Sequence, residues 1–162
     1  MAGFSGLGTI LRMSSTGGTI GTTSTAAGMA DLTNISGPSM SAEEIDVSSY
    51  DSASGYREFV SGFLDAGEIS LEGNLTQSGG ASDLVTAFND SLERQFVVVF
   101  PATGLTASTG LGTNWPGYYL RWVLDGTVTG VETAAPYDDK LSFSATVRLT
   151  GEPFLVATSS SG

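Results

Sequence analysis

The sequence predicts a mainly β protein, a sandwich or barrel of about six to eight strands with one flanking α-helix. Ser, Thr and Gly make up 63 of the 162 residues, a composition that favours short strands joined by turns over helices. Leu, Ile, Val and Phe contribute 39 residues, enough to build a buried core in a single domain. Several short segments also alternate apolar and polar side chains, which is the period of a half-buried strand.

The first 30 residues are expected to lie apart from the main domain. Leu7–Met13 is predicted to be an outlying strand. Residues 14–30 carry no charge and little bulk, so we expect them to form a flexible arm or a long loop. The β-sandwich domain is then predicted at residues 31–157, and residues 158–162 form a short tail.

Three strands are predicted in the next part of the chain. They are Asp31–Ile35, Glu43–Ser48 and Gly67–Leu75. The third alternates most clearly, with Ile69, Leu71 and Leu75 expected to face the core. Between the second and third strands, Ser49–Ala66 is predicted to be a long loop.

One helix follows. With Ser82 as its N-cap and Asp83 in its first turn, the helix is predicted to run to Glu93. The apolar face expected to cover a sheet comprises Leu84, Val85, Phe88 and Leu92.

The C-terminal half is predicted to contain further strands and one long loop. Gln95–Phe100 is a continuous apolar run that predicts a central buried strand. The segment Ala102–Gly117 is predicted to be a loop. Tyr118–Val131 is either a long strand or a hairpin, in which Asp125–Gly126 forms a bulge or a turn. Lys140–Thr150 alternates again and predicts a strand.

The charge balance and the missing residue types argue against several functions. The chain has 6 basic and 17 acidic residues, and a net charge of −11 repels the phosphate backbone of nucleic acids. With no Cys and no His, we predict no catalytic residues, no metal site, no cofactor and no enzymatic activity. The sequence shows no signal-peptide pattern and no run of about 18 apolar residues, so we expect neither export nor membrane insertion.

Paired carboxylates do not alter that expectation. The adjacent pairs at residues 43–44 and 138–139 would point to opposite faces of a strand. Glu68 and Glu72 share a strand face, but they are separated by about 13 Å, which is too far for a glycosidase pair.

The predicted loop Ser49–Ala66 has an unusual composition. It combines aromatic and charged side chains outside the periodic segments, a mixture typical of an interface with buried anchors and a polar rim. These residues are Tyr50, Tyr56, Arg57, Glu58, Phe59, Phe63 and Asp65. The alternative is that this loop folds back on the chain's own core.

The stretch Glu43–Asn74 closely resembles the signature of siphophage tail tube proteins, also called major tail proteins. That pattern is an acidic strand ending I-D-V-[ST]-S, then D-S-x-x-G-[WY]-R-E-[FY], then G-x-x-[DN]-A-G-E-[IV]-S-x-E-G-[NT]. The matching residues are Ile45, Asp46, Val47, Ser49, Asp51, Ser52, Gly55, Tyr56, Arg57, Glu58, Phe59, Gly62, Asp65, Ala66, Gly67, Glu68, Ile69, Ser70, Glu72, Gly73 and Asn74. The later order of helix, buried strand, long loop and two strands agrees in layout.

The resemblance implies a β-sandwich with a flanking helix that assembles with itself into hexameric rings, which stack into a tube in the virion tail. The expected partners are further copies of the chain, together with tape-measure, tail-terminator and distal tail proteins. Double-stranded DNA would pass through the tube without specific binding, and assembly would take place in the host cytoplasm.

The resemblance also implies two sets of site residues. Glu68, Ser70, Glu72 and Asn74 are expected to line the lumen. Tyr50, Asp51, Tyr56, Arg57, Glu58, Phe59, Phe63 and Asp65 are expected to form an inter-ring stacking loop, with Arg57 paired to a carboxylate across an interface. Two alternatives remain: a β-sandwich binding module, such as a capsid decoration or adhesin domain, and a tube protein of a contractile or type VI-like apparatus.

Overall fold

The computed structural model describes residues 9–14, 28–29, 32–49, 55–75, 80–101 and 119–158, which form nine strands and one helix. The elements in chain order are β1 (Ile10–Met13), β2 (Gly28–Met29), β3 (Leu32–Ser36), β4 (Ser41–Asp46), β5 (Phe59–Asp65), β6 (Glu68–Asn74), α1 (Gly80–Asp90), β7 (Arg94–Pro101), β8 (Tyr119–Ala134) and β9 (Ser142–Thr158).

Seven strands form one antiparallel sheet in the order β2-β1-β7-β8-β9-β6-β3, while β4 and β5 pair only with each other. The long strands β8 and β9 join two parts of this sheet. β7 pairs with Tyr119–Gly126 of β8, and β6 pairs with Ser142–Arg148 of β9. The second half of β8 therefore lies beside β9 and β6, away from β7.

The core lies on one face of the sheet. β6 alternates as its sequence predicts and buries Ile69 and Leu71 almost completely. The alternating residues of β9 bury Phe143, Ala145, Val147 and Leu149 on the same side. The helix α1 packs over β8 and contributes Leu84 and Ala87 to this cluster. A single apolar layer thus lies between the sheet and the helix.

The buried strand predicted at Gln95–Phe100 is confirmed as β7. Phe96 and Val98 belong to the core cluster, and Val97 and Val99, which point the other way, are also buried. Burial on both faces explains why this segment reads as a continuous apolar run.

Several boundaries differ from the sequence predictions. The strand Leu7–Met13 was expected to be outlying, but β1 lies between β2 and β7 and its Leu11 is fully buried. Leu75 was expected to face the core, but it follows the end of β6 and is exposed.

The helix begins and ends about three residues earlier than the predicted Asp83–Glu93. It stops at Asp90 because Ser91 adopts a left-handed backbone, with φ of 54°, which is typical of the residue that ends a helix. Because the helix buries Leu84 and Ala87, the other members of the predicted apolar face are left partly exposed: Val85, Phe88 and Leu92.

The prediction of a long loop at Ser49–Ala66 is wrong for residues 59–65, which form β5. β5 pairs with β4 along its length. Ser41 lies opposite Asp65 at one end of the pair, and Asp46 lies opposite Phe59 at the other. Its apolar residues occupy consecutive positions because neither face of the β4–β5 pair packs on the core, so the alternation that identifies a half-buried strand is missing.

β8 runs through Asp125–Gly126 without a turn, so the hairpin alternative for this segment is wrong. A Cβ at Gly126 would lie 2.6 Å from the carbonyl oxygen of Arg148, so glycine permits the close approach of β8 and β9. The ladder shifts register between Val123 and Asp125, which agrees with the bulge alternative.

β9 continues to Thr158, beyond the predicted end at Thr150. Thr150 and Phe154 pair with residues of β8 only two positions apart, so residues 151–153 bulge from the ladder, and Gly151 supplies a φ of 72° there. Most of the predicted arm 14–30, the loop Ala102–Gly117 and the tail 158–162 lie outside the described residues.

Candidate functional site

The face of the sheet opposite the core forms a continuous polar surface, which we call the polar face. It is built from alternate residues of β3, β6, β9 and the second half of β8, and cross-strand pairing places them in rows. Its members are Asn34, Ser36, Glu68, Ser70, Glu72, Asn74, Glu132, Ser142, Ser144, Thr146 and Arg148. All of these are exposed or half-buried.

The polar face carries mainly negative charge. Glu72 lies opposite Ser144, which lies opposite Glu132, so the two carboxylates flank a small hydroxyl side chain. Asn34 Nδ2 donates a hydrogen bond to Glu72 Oε2 at 3.4 Å. Glu68 is an exposed member of the same face, so three carboxylates share it.

Arg148 is the one cation of the polar face, and it is paired. Its Nη2 lies 2.6 Å from Asp65 Oδ2, and both side chains are about half exposed, so the pair stabilises the fold little. The backbone N–H of Gly67 and the Arg148 guanidinium lower the pKa of Asp65. The pair joins the polar face to β5.

The strands β4 and β5 form a two-stranded ribbon, which we call the β4–β5 hairpin. Several of its large apolar residues are exposed, most of all Phe63 and Leu64, at 88% and 81%. Ile45 and Val60 are cross-strand partners and are also about half exposed. A pair of strands this apolar is unstable alone in water and is typical of a surface that is covered in an assembly.

The hairpin is fixed to the sheet at its base. Ser39 Oγ lies 3.3 Å from the backbone nitrogen of Glu68, which donates to it, and 3.4 Å from the Glu68 carbonyl oxygen. Gly67 has φ of 75°, and a Cβ there would lie only 2.1 Å from the carbonyl oxygen of Ser39. Glycine is therefore required where the hairpin meets β6.

The β8–β9 turn, residues 135–141, lies at the opposite end of the polar face from the hairpin. β6 runs from Glu68, beside the hairpin, to Asn74, which pairs with Ser142 next to this turn. Tyr137 is fully exposed in the turn, followed by two aspartates and Lys140. The two ends of the polar face thus differ in chemistry.

A shallow cleft of about 230 Å³ opens at this turn end of the polar face. Glu72, Glu132 and Lys140 supply its charges, and Asn74 and Phe143 also line it. The buried Oδ1 of Asn74 has no hydrogen-bond partner. The cleft therefore has a net charge of −1.

The structure places the four predicted lumen residues together on the exposed face of β6, with Asn74 half-buried. Of the predicted stacking residues, Tyr56, Arg57 and Glu58 are exposed just before β5, and Phe59, Phe63 and Asp65 lie in it. Tyr50 and Asp51 lie outside the described residues.

Sequence reasoning did not assign Glu132 and Arg148 to this site. The alternation of β9 already placed Arg148 on its polar side, but its partner Asp65 lies 83 residues away in sequence. Glu132 follows a bulge between Val128 and Gly130, which changes the face on which later residues of β8 lie.

Within the described residues, no cluster of three or more His, Cys, Asp or Glu side chains is arranged to hold a metal ion. The one helix in that part of the chain is too short and too polar to span a membrane.

No protein-family model matches the sequence, and a comparison with curated proteins found no match. Solved structures do match. A chain of the virion of a native gene transfer agent aligns with a TM-score of 0.64 and 18% identity, covering 95% of this chain and 99% of that one. A chain from the tail of an empty gene transfer agent particle, refined with C6 symmetry, aligns with a TM-score of 0.60 and 17% identity, covering 91% and 94%. The chain has a tail-tube-like fold.

A third match comes from a contractile system. A chain of an extracellular contractile injection system, in its extended sheath–tube complex, aligns with a TM-score of 0.55 and 12% identity, covering 94% of this chain and 88% of that one. The predicted fold class is confirmed, because the architecture extends over nearly the full length of each chain.

Proposed function

We propose that the chain is a structural tube protein, of which six copies form a ring and successive rings stack into a tail tube that DNA traverses. The observation that carries this proposal is the continuous polar face, with open edges on both sides, in a fold shared with a chain from a C6-symmetric tail. No catalytic step is needed for this role.

The edges of the polar face support ring formation. Among the described residues, β3 pairs only with β6, and β8 has no strand beyond it after Gly126. Unpaired edges of this kind attract other strands and are a liability in a free protein. If β3 of one copy lies beside residues 127–134 of β8 in the next, six copies close a barrel in which the polar face has no open edge.

The size of that barrel suits a DNA channel. Four strands from each of six copies give 24 strands, and a spacing of about 4.8 Å with a tilt of about 35–45° gives a backbone diameter of about 45–52 Å. Inward side chains reduce the bore to about 35–40 Å. The two grooves of a DNA duplex are each about 8 Å deep, so the duplex is narrower than this bore and fits within it.

The charge suits passage without retention. Six chains carry a net charge of 6 × −11 = −66 per ring. We assign Glu68, Ser70, Glu72 and Asn74 to the bore, where the carboxylates keep phosphates from the wall. The β4–β5 hairpin contacts the adjacent ring, which covers its apolar side chains, and Tyr50 and Asp51 are proposed members of that contact.

Two kinds of tube fit this fold. The resemblance of Glu43–Asn74 to siphophage tail tube proteins favours a non-contractile virion tail assembled in the host cytoplasm, with tape-measure, tail-terminator and distal tail proteins as partners. The match to a chain of a sheath–tube complex favours the second candidate, a tube inside a contractile apparatus. Electron microscopy of native particles separates them, because only the contractile apparatus has a sheath around the tube.

Negative-stain microscopy of the purified protein at high concentration tests the proposal. We expect rings and tubes, and a preparation that contains only globular monomers would contradict self-assembly. Hydrogen exchange adds a second readout: amides of residues 55–65 should exchange quickly in the monomer, because an isolated hairpin is marginally stable, and slowly in the polymer. Equal protection in both states would favour a binding module such as a decoration or adhesin domain.

A further inference from the structure

An exposed cation that belongs to no ion pair within the described part of the chain lies towards each end of the polar face. Among the described residues, Arg57 and Lys140 are the two exposed cations that take part in no ion pair. Arg57 adjoins the β4–β5 hairpin at one end, and Lys140 lies in the β8–β9 turn at the other. Each is therefore available to a second copy of the chain.

The cleft at the turn end fits a guanidinium group. Glu72 and Glu132 offer two carboxylates, which arginine binds better than other cations do, and Lys140 offsets only one of these charges. The cleft volume of about 230 Å³ is several times the roughly 30 Å³ that one water molecule occupies, so a planar side-chain head has room.

Exposed apolar residues lie close in sequence to Arg57 and to the residues of the cleft. Tyr56 and Phe59, on either side of Arg57, are 79% and 54% exposed. At the turn end, Tyr137 and Leu141 are exposed beside the cleft. Aromatic anchors around an arginine, facing apolar residues around a carboxylate cleft, are the composition of an interface core.

We propose that Arg57 of one copy binds in the cleft of a second copy in the adjacent ring, between Glu72 and Glu132. This deepens the proposed function and rests on it. Arg57 lies eight residues before Asp65, so extended chain carries it about 26 Å from the base of the hairpin. β6, with seven residues, spans about 23 Å, so the hairpin is at least as long as the polar face is along β6.

Hairpin-to-hairpin contact is disfavoured by charge. Each hairpin carries four carboxylates near its single arginine: Glu43, Glu44, Asp46 and Glu58. Two hairpins in contact bring eight carboxylates against two arginines, whereas the cleft offers Arg57 an excess of one negative charge. Contact between two different surfaces leaves one surface unused at each end of a stack. Further rings can therefore be added, and the stack stays open.

A charge exchange tests the pairing. The variant Arg57→Glu should form rings, while the protein concentration needed for tubes rises at least tenfold. Glu132→Arg alone should have a similar effect, and the double variant Arg57→Glu, Glu132→Arg should restore tubes at close to the wild-type concentration. Ser82→Glu with Thr86→Glu makes the same net charge change as Arg57→Glu, but on the exposed side of α1, and should assemble as the wild type does.

Sedimentation velocity and negative-stain images report rings and tubes separately, and circular dichroism confirms that each variant is folded. A double variant that assembles no better than Arg57→Glu overturns the pairing, as does Arg57→Glu that forms tubes normally. Wild-type protein that forms neither rings nor tubes contradicts the proposed function itself, which distinguishes that failure from failure of the Arg57 contact.

Discussion

Replacing Glu68 and Ser70 by lysine would test whether the polar face lines a DNA channel. Glu68, Glu72 and Glu132 give this face three negative charges, and Arg148 is neutralised by Asp65. Six copies thus carry −18 on the polar face, which Lys140 and the proposed inter-ring Arg57 at each cleft reduce to −6. The double variant Glu68→Lys, Ser70→Lys adds three positive charges per chain and brings the ring to +12. Glu72 is left unchanged because it lines the cleft.

The expected effect follows from the charge on DNA. A bore about 20 Å long encloses about 12 phosphate charges at one per 1.7 Å. The wild-type wall repels them, whereas the variant places 12 lysines around the same length of duplex. Variant tubes should therefore retain duplex DNA, with an affinity that falls as salt rises, because each phosphate contact releases counterions. Wild-type tubes should retain none at about 150 mM salt.

DNA retention is measured by the binding of fluorescent duplex DNA to assembled tubes. The rate of DNA release is measured on particles that carry the variant tube and have been triggered to eject their DNA. Asp83→Lys with Ser82→Lys makes the same charge change on α1, outside the polar face, and should leave both quantities unchanged. Equal DNA retention and equal release rates for wild type and the Glu68→Lys, Ser70→Lys variant would show that this face does not line the channel.

Three further predictions concern stability and one concerns assembly. Leu71→Ala, which empties a fully buried site, should lower the free energy of unfolding in urea by about 2–5 kcal/mol, whereas Ser70→Ala on the exposed side of the same strand should change it little. Gly67→Ala should cost at least about 1–2 kcal/mol, because φ is positive and the new Cβ meets the Ser39 carbonyl, and a wild-type melting temperature would contradict this geometry. The Gly67 N–H lowers the pKa of Asp65 in the folded protein below its ordinary value of about 3.9. The ionised Asp65 carboxylate therefore contributes fully to stability above the ordinary pKa. This contribution is lost as the pH falls through the lower pKa of the folded state. Asp65→Asn should therefore weaken the dependence of unfolding on pH below about 4 in urea titrations. Added salt should lower the concentration needed for tubes, as light scattering would show, because it screens repulsion between chains of net charge −11.

Sequence patterns predicted the elements that have at least one buried face. β6 follows strict alternation, and β7 is a continuous apolar run because it is buried on both sides. The patterns failed where packing within the chain does not decide the structure. Phe63 and Leu64 are consecutive apolar residues in a strand with no buried face, so periodicity could not separate β5 from a loop.

The candidate site was predictable only in part. Alternation placed Glu68, Ser70 and Glu72 on one face, and the resemblance assigned that face a role. The pairing of Asp65 with Arg148 joins residues far apart in sequence and depends on how the hairpin meets the sheet. The cleft depends on the register of four strands, which no local pattern specifies.

Lys140 is a reactive group that distinguishes one end of the subunit from the other. It is the only lysine in the sequence, and it lies in the β8–β9 turn, away from the hairpin. Once the N-terminal amine is blocked, amine-reactive dyes or gold labels would therefore mark one end of each subunit. In a tube of identically oriented copies, that mark repeats with the same polarity in every ring, so images of a labelled tube distinguish its two ends.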